Sequence, residues 1–459
     1  MNRARRTAKR ATGILIAAVT MVLLMAAQVL EQVGTWSLRA PLPNPRKGVS
    51  ASIHGTLFML GNGEVIDFWQ SLVAYDPKAD SWTSKASLPT PRCCMSLTTL
   101  DGKLYAIGGQ RGLGGGSPVD SVEVYDPISD EWSAKAPLPE PRTSPAAAGL
   151  DGKVYVVGGY TPDGFGGLSH SSTLLVYDPT TNTWINKAPM PTPRAAVALV
   201  AVEGVLYAIG GTNFGASTAV EAYDPKTDTW IPRAPMPTAR VGPAAAVVDG
   251  MVYAAGGDRG FDPIATRALS VVEAYDPSTD TWSSVPPMPT ARVEFGLSAV
   301  ENTLYAVGGM QGTEREGWAF LVVNEAFSPF LTVTIDIKPG DPNNTINLNS
   351  RATILVAILS SAEFDALTVD PASLTLANAR VVTTNRGTAI TSIRDVDRDG
   401  RLDLVVHFRI EDLQLSPTDT EAILRGATFS GQRLRGADSV RVLPERPLGQ
   451  NDARGRQRR

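Results

Sequence analysis

Residues 82–109 read Trp82-Thr-Ser-Lys-Ala-Ser-Leu-Pro-Thr-Pro-Arg92-Cys-Cys-Met-Ser-Leu-Thr-Thr-Leu-Asp-Gly-Lys-Leu-Tyr105-Ala-Ile-Gly108-Gly109, and Tyr125-Asp126-Pro127 follows seven residues before the next tryptophan, Trp132. The same sentence recurs along the chain. Trp36, Trp82, Trp132, Trp184, Trp230 and Trp282 are each followed ten residues later by an arginine: Arg46, Arg92, Arg142, Arg194, Arg240 and Arg292. Sixteen residues after each arginine from Arg92 on lies a glycine pair, at 108–109, 158–159, 210–211, 256–257 and 308–309; the first repeat has only Gly61-Asn62-Gly63. Such a fixed period marks a fold made of stacked units.

The spacing has a physical reading. A run such as Leu104-Tyr105-Ala106-Ile107 is apolar throughout and stops at glycines, as a strand covered on both faces does where the chain turns sharply. Asp-Pro followed by Thr/Ser-Asp/Asn closes a turn, and the tryptophan opens the next strand. Each unit therefore predicts four short antiparallel strands. One such sheet cannot bury both its faces, so the units must stack around an axis.

Arginine, glycine pair, Tyr-Asp-Pro and tryptophan at these offsets resemble kelch repeats. The resemblance covers about 290 residues. It implies blades with the arginine-led strand innermost and the tryptophan-led strand outermost. Five complete units run from Arg46 to Trp282; the unit begun at Arg292 ends at Phe327-Ser328-Pro329 without a tryptophan strand, and Trp36 has no strands before it. The expected architecture is an all-β, six-bladed kelch β-propeller over residues 31–329, closed by the Trp36 segment in the last blade, so that no sheet edge is left free. Trp318 is out of register and falls to a loop or strand of that blade.

A smaller β-rich domain is expected over 330–445, with strands at 332–337, 353–359, 402–408 and 439–443. It is similar to a module found at the C-termini of bacterial exported proteins. Its loop Asp395-Val-Asp397-Arg-Asp399-Gly400-Arg401-Leu-Asp403 alternates carboxylates and includes a glycine, as a compact all-oxygen Ca²⁺ site requires. Asp395, Asp397, Asp399 and Asp403, with the Arg401 carbonyl, are the expected ligands. The loop resembles those of EF-hands and dockerins, but its twelfth position is Val406 rather than glutamate and strands flank it. The alternative is a solvated acidic turn.

Residues 1–30 begin with Arg3, Arg5, Arg6, Lys9 and Arg10 and continue as an apolar run from Ala11 to Leu30. This reads as a signal peptide or an uncleaved signal anchor. The protein is accordingly expected outside the cytoplasm, secreted, periplasmic or at the cell surface, with membrane attachment through 11–30 only. Residues 446–459 read as a disordered basic tail. Setting aside ten bases and one acid at these two ends leaves 32 of the 42 bases against 45 of the 46 acids. An acidic body argues against a nucleic-acid partner. The only cysteines, Cys93 and Cys94, are adjacent, and read as buried thiols, with a vicinal disulfide or redox role as the sharper alternative.

Resemblance to kelch propellers also raises catalysis, since that family includes copper oxidases of the galactose oxidase type and sialic acid mutarotases. Only His54, His170 and His407 are available, without a corresponding histidine–tyrosine cluster, and there is no nucleophile elbow or phosphate loop. The expectation is a monomeric, non-enzymatic binding protein whose partner is an extracytoplasmic protein or glycan, with a carbohydrate-active enzyme as the alternative. The connections entering the arginine strand and leaving the glycine pair must share one face. That face gathers the long loops 110–120, 160–172 and 258–269 and, on this reading, Arg46, Arg92, Arg142, Arg194, Arg240 and Arg292 around the channel mouth, where they would bind a carboxylated glycan or acidic peptide. The structural alternative has these arginines hydrogen-bonding neighbouring loops.

Overall fold

Each repeat folds into four antiparallel strands in sequence order. The second unit is Ser96–Leu100, Lys103–Ile107, Val122–Asp126 and Glu131–Ala134, with Tyr125 opposite Trp132. Five such sheets each come from one continuous stretch of chain, and the sixth takes Gly296–Val300, Thr303–Val307 and Asn324–Phe327 and is completed by Trp36–Leu38 from the other end of the propeller sequence. The innermost strands touch their neighbours in a closed cycle, with the strand at Lys47–Ile53 lying between those at Ser96–Leu100 and Gly296–Val300. The molecule, a computed structural model, is described for residues 34–62, 70–112, 116–260, 268–313 and 317–443. The segment 1–30 expected to direct export, the expected basic tail 446–459 and parts of the loops 110–120 and 258–269 lie outside the described residues.

The chain divides into two units, one spanning Gly34–Ser328 and the other beginning at Pro329. In the propeller, apolar clusters lie between successive blades. One joins Phe58, Leu60 and Leu72 to Leu97, Leu104 and Tyr125 of the following blade. Small residues dominate where the inner strands converge, as at Ala146–Ala148 and Ala244–Ala246. Gly296 illustrates why: a Cβ there would lie 2.5 Å from the Ser50 side chain.

At the rim, each of the six repeat tryptophans ties its blade to the preceding one. Trp132 Nε1 donates to the Ala86 carbonyl at 2.8 Å, the Ala86 N–H donates to Asp130 Oδ1 at 2.9 Å, and Tyr125 Oη donates to the same oxygen at 2.6 Å. The pattern repeats at Asp80, Asn182, Asp228 and Asp280.

In the C-terminal unit, a five-stranded sheet and a four-stranded sheet share one core containing Ile337, Val356, Ile358, Val406, Phe408 and Leu424. The expected strand at 332–337 is two strands, Leu331–Thr332 and Ile335–Ile337, placed in different sheets. The two-residue strands Thr375–Leu376 and Ala379–Arg380 carry too little alternation to be read, and the strands Thr391–Arg394 and Glu421–Ala427 were also not expected.

Candidate functional site at the channel mouth

The six arginines are where the repeat places them, just before the innermost strands, but they do not face a ligand. Arg46, Arg92, Arg142, Arg194, Arg240 and Arg292 are at most 1% exposed. This corrects the expectation that they form a cationic rim. Their guanidinium groups are used internally: Arg92 Nε donates to the Gly108 carbonyl at 2.7 Å, Arg142 Nη1 to Gly158 at 3.1 Å and Arg292 Nη1 to Gly308 at 3.1 Å. Each backbone carbonyl of Arg46, Arg142, Arg194, Arg240 and Arg292 meanwhile accepts from the second glycine of the preceding blade, as in Gly109 N–H to Arg142 at 2.9 Å. A Cβ on Gly108 would lie 2.7 Å from that Arg142 oxygen. The arginine and the glycine pair thus form one inter-blade joint. Burial pulls these arginines below the ordinary guanidinium pKa, and Glu123, Glu221, Glu273 and Glu325 offset part of that in four of them.

These glutamates, which the sequence reading missed, complete a triad. Arg194 pairs with Glu221 at 2.6 Å and Arg292 with Glu325 at 2.5 Å; Arg92 pairs with Glu123 and Arg240 with Glu273. The threonine two residues before each of these arginines donates to the same carboxylate: Thr90, Thr192, Thr238 and Thr290. The signal was present. Wherever threonine precedes the arginine by two, glutamate precedes the blade's Tyr or Phe by two, and Asn44 with Val73 and Glu140 with Leu175 are the two blades that have neither. Arg46 there uses Ser71 Oγ, and Arg142 has Glu140 at 3.7 Å, leaving Nε and Nη2 buried without a hydrogen bond.

What does line the mouth is the residue two positions after each arginine: Gly48, Cys94, Ser144, Ala196, Gly242 and Glu294. Five of them have φ between 49° and 56°. Backbone bonds run around the ring from Gly48 N–H to Glu294, Ser144 to Cys94, Ala196 to Ser144 and Gly242 to Ala196, at 2.7–3.1 Å. They surround a cavity of about 530 Å³ whose wall comes from all six inner strands. Across the sixth and first blades, Lys47 Nζ pairs with Glu294 at 2.6 Å. The opposite ends of the inner strands turn through His54, Asp101, Asp151, Glu203, Asp249 and Glu301, all with φ of 46–53°, so that face is acidic.

The loops after the glycine pairs lie on the mouth side, because the residue after each arginine bridges the residue after the glycines: Thr143 with Tyr160, Ala195 with Thr212, Val241 with Asp258. In the third blade the hairpin Tyr160–Pro162 with Leu168–His170 carries Phe165, 97% exposed, and in the fourth Phe214 is 95% exposed. His170 links the two blades, its ring 4.8 Å from Tyr160 and 5.0 Å from Phe214. Its Nε2 is buried without a hydrogen-bond partner, and burial lowers its pKa. His54 and His407 lie elsewhere, in an inner hairpin turn and in a C-terminal strand.

In the C-terminal unit, the loop between Thr391–Arg394 and Asp403–Arg409 brings Asp395, Asp397 and Asp403 together, with one carboxylate oxygen of each within 4.8 Å of the others. Asp403 is buried and accepts N–H bonds from Ser360 and Val396 at 2.8 and 2.7 Å. Asp399 departs from the expected ligand set. It pairs with Arg401 Nη1 at 2.6 Å and accepts the Arg401 N–H, which holds its carboxyl below the usual range. Gly400 takes φ 90°, which turns the loop, and its N–H donates to Asp395.

A family model described as the KLHDC2/KLHL20/DRC7 Kelch-repeats domain matches residues 30–211 and 134–309. This chain belongs to the kelch-repeat family. Kelch-like protein 26 of Danio rerio is 30% identical over 236 residues, 51% of this chain and 30% of that protein. Kelch-like protein 7 of Rattus norvegicus is 34% identical over 284 residues, 62% of this chain and 39% of that protein. The chain thus spans less than two fifths of the length of these relatives. The solved structure of YjhT superposes with a TM-score of 0.55 and 19% identity, covering 67% of this chain and 98% of that one, which is a likeness of fold. Kelch propellers generally serve as protein-binding scaffolds.

Proposed function

We propose that this kelch protein is an exported binding module that catalyses no reaction and holds a protein partner on the loop-bearing face of the propeller. The observation that carries the reading is the pair of almost fully exposed phenylalanines, Phe165 and Phe214, raised on loops of adjacent blades, with His170 of the hairpin that bears Phe165 packed against the Phe214 ring. Exposed aromatic rings on a rigid ring supply contact area at little entropic cost, and such rings are enriched where proteins meet proteins. The buried arginines set the blades and leave recognition to the loops. Export rests on the basic and apolar segments of residues 1–30.

The C-terminal unit is an accessory domain that takes one Ca²⁺ on Asp395, Asp397 and Asp403. Three converging carboxylates, one of them oriented by two N–H donors, fit a hard cation that prefers oxygen. The bound ion would neutralise their mutual repulsion and stiffen the hairpin; Asp399 would join only by leaving Arg401.

Parallel screening of the full chain on peptide and glycan arrays tests the class of ligand. Saturable binding to peptides, with glycans blank, is the expected result. Binding confined to glycans, or turnover of free sugars, would overturn the reading in favour of a carbohydrate-active protein.

A further inference from the structure

Among the six positions that form the mouth ring, only the second blade carries thiols. Cys93 and Cys94 occupy the two residues after Arg92, places filled by Thr143-Ser144, Ala195-Ala196 and Val241-Gly242 in the next three blades. Their backbones are fixed from both sides: Cys93 exchanges both backbone hydrogen bonds with Gln110, and the Cys94 carbonyl accepts from Ser144 at 2.7 Å. Cys94 is held at φ 56°, a conformation a non-glycine residue seldom takes. In this arrangement the two sulfurs, which successive residues of an extended strand would send to opposite faces, lie 3.1 Å apart. Cys93 is buried, while Cys94 is partly exposed on the wall of the 530 Å³ cavity.

We propose that Cys93 and Cys94 are a reversible dithiol switch at the channel mouth, oxidised to a vicinal disulfide by exchange with a small-molecule disulfide. The charged groups around the pair favour the chemistry. The S–H of Cys94 donates to Cys93, and Lys47 adds a positive field, so the Cys93 thiol falls to about 7 while Cys94 is pushed up; Glu294 opposes the effect at longer range. The pair therefore carries one proton near neutral pH, held mainly on Cys94, and the Cys94 thiolate forms when that proton passes to Cys93 across the 3.1 Å contact. With that proton on Cys93, the Cys94 thiolate, which faces the cavity, attacks one sulfur of the disulfide and releases a thiolate. That thiolate takes the proton of Cys93. Cys93 then attacks the sulfur of Cys94 and expels the second thiolate, which is protonated by water. Two protein thiols are oxidised and one external disulfide is reduced to two thiols.

Adjacent residues joined by a trans peptide have Cα atoms about 3.8 Å apart, closer than the roughly 4.4–6.8 Å an unstrained disulfide spans. The product is strained and easily reduced, as a switch requires and a permanent staple does not.

Full-length protein treated with oxidised glutathione, quenched with iodoacetamide and digested for mass spectrometry tests the proposal. The peptide containing both cysteines should lose two hydrogens and all alkylation, then recover two alkylated thiols after reduced glutathione. Cys93→Ser should trap a glutathione adduct on Cys94. Two thiols that stay fully alkylatable in the folded wild-type protein after oxidation, or a stable glutathione adduct on the wild type, would overturn it. The wild-type result decides the matter even if the variant folds poorly, and it is independent of whether a peptide binds the loop face.

Discussion

Trp36 lies directly opposite Phe327, its ring stacked on that of Phe327 with centroids 5.1 Å apart, although the two residues come from the two ends of the propeller sequence. Trp36 Nε1 also donates to the Pro286 carbonyl at 2.9 Å, making across the fifth and sixth blades the tie that the other tryptophans make elsewhere. The ring is closed by a strand of three residues.

Closure should therefore be a large share of stability for its size. Trp36→Ala is expected to cost about 2 kcal/mol, below the usual value for a fully buried aromatic because the ring is only half-buried. Removing residues 34–45 should free the edge of Asn324–Phe327 and promote aggregation. Urea denaturation with light scattering reads both; a truncated protein that stays monomeric and unfolds like the parent would contradict the closure.

The arginine triads should behave as structural elements. Glu221→Gln leaves the Arg194 charge buried without its counter-charge and should cost about 3 kcal/mol, against about 1 kcal/mol for Thr192→Val. In the third blade, Glu140→Thr should destabilise and Leu175→Glu should rescue it, because the pair together rebuilds the triad of the other blades around Arg142. Denaturation midpoints of the two single variants and the double variant measure this.

Acid should loosen the rim. Asp80 and Asp280 are held below the ordinary carboxylate range by the tyrosine hydroxyls of Tyr75 and Tyr275, and Asp130 and Asp228 by the N–H groups of Ala86 and Ala188. A carboxyl whose folded pKa is depressed contributes stability that is fully present above its unfolded value, about 4, and lost as pH falls through the folded one. Asn182 makes the same contacts with an amide oxygen, so Asp130→Asn, Asp228→Asn and Asp280→Asn together should fold normally at neutral pH. The wild-type urea midpoint is expected to fall as the pH drops below about 4, and that of the triple variant to fall less. Equal slopes would remove the rim from the acid response.

Calcium should raise the melting temperature of the C-terminal unit, by an amount that grows with the logarithm of its concentration above the dissociation constant. Calorimetry with calcium and with a chelator reads it. Asp397→Asn should abolish the difference and Asp399→Asn should largely spare it, since Asp399 is committed to Arg401. Identical profiles with and without calcium would leave an acidic turn.

Much of this was legible in the sequence because the repeat supplies six copies of one statement: the offsets from Trp82 to Arg92 and from Arg92 to Gly108 gave the blade, and the unmatched Trp36 and Phe327 gave the closure. The position of the arginines was readable, but not their burial. Arginine is a surface residue by default, and only the co-occurrence of Thr192 with Glu221, and their joint absence around Arg142, points inward. The mouth residues Cys94, Ser144 and Ala196 share no residue type, only a backbone conformation, so no motif marks them. In the C-terminal loop, spacing could not foresee that Arg401 would claim Asp399.

The central claim, recognition on the loop face, is tested most directly by measuring the dissociation constant of the strongest array peptide for wild type, for Phe165→Ser/Phe214→Ser and for Asp101→Asn/Asp151→Asn on the opposite face. The expected result is at least about a tenfold loss for the phenylalanine variant, the size usual for interface anchors, and an unchanged constant for the aspartate variant. An unchanged constant for the phenylalanine variant, or a loss confined to the aspartate variant, would contradict it.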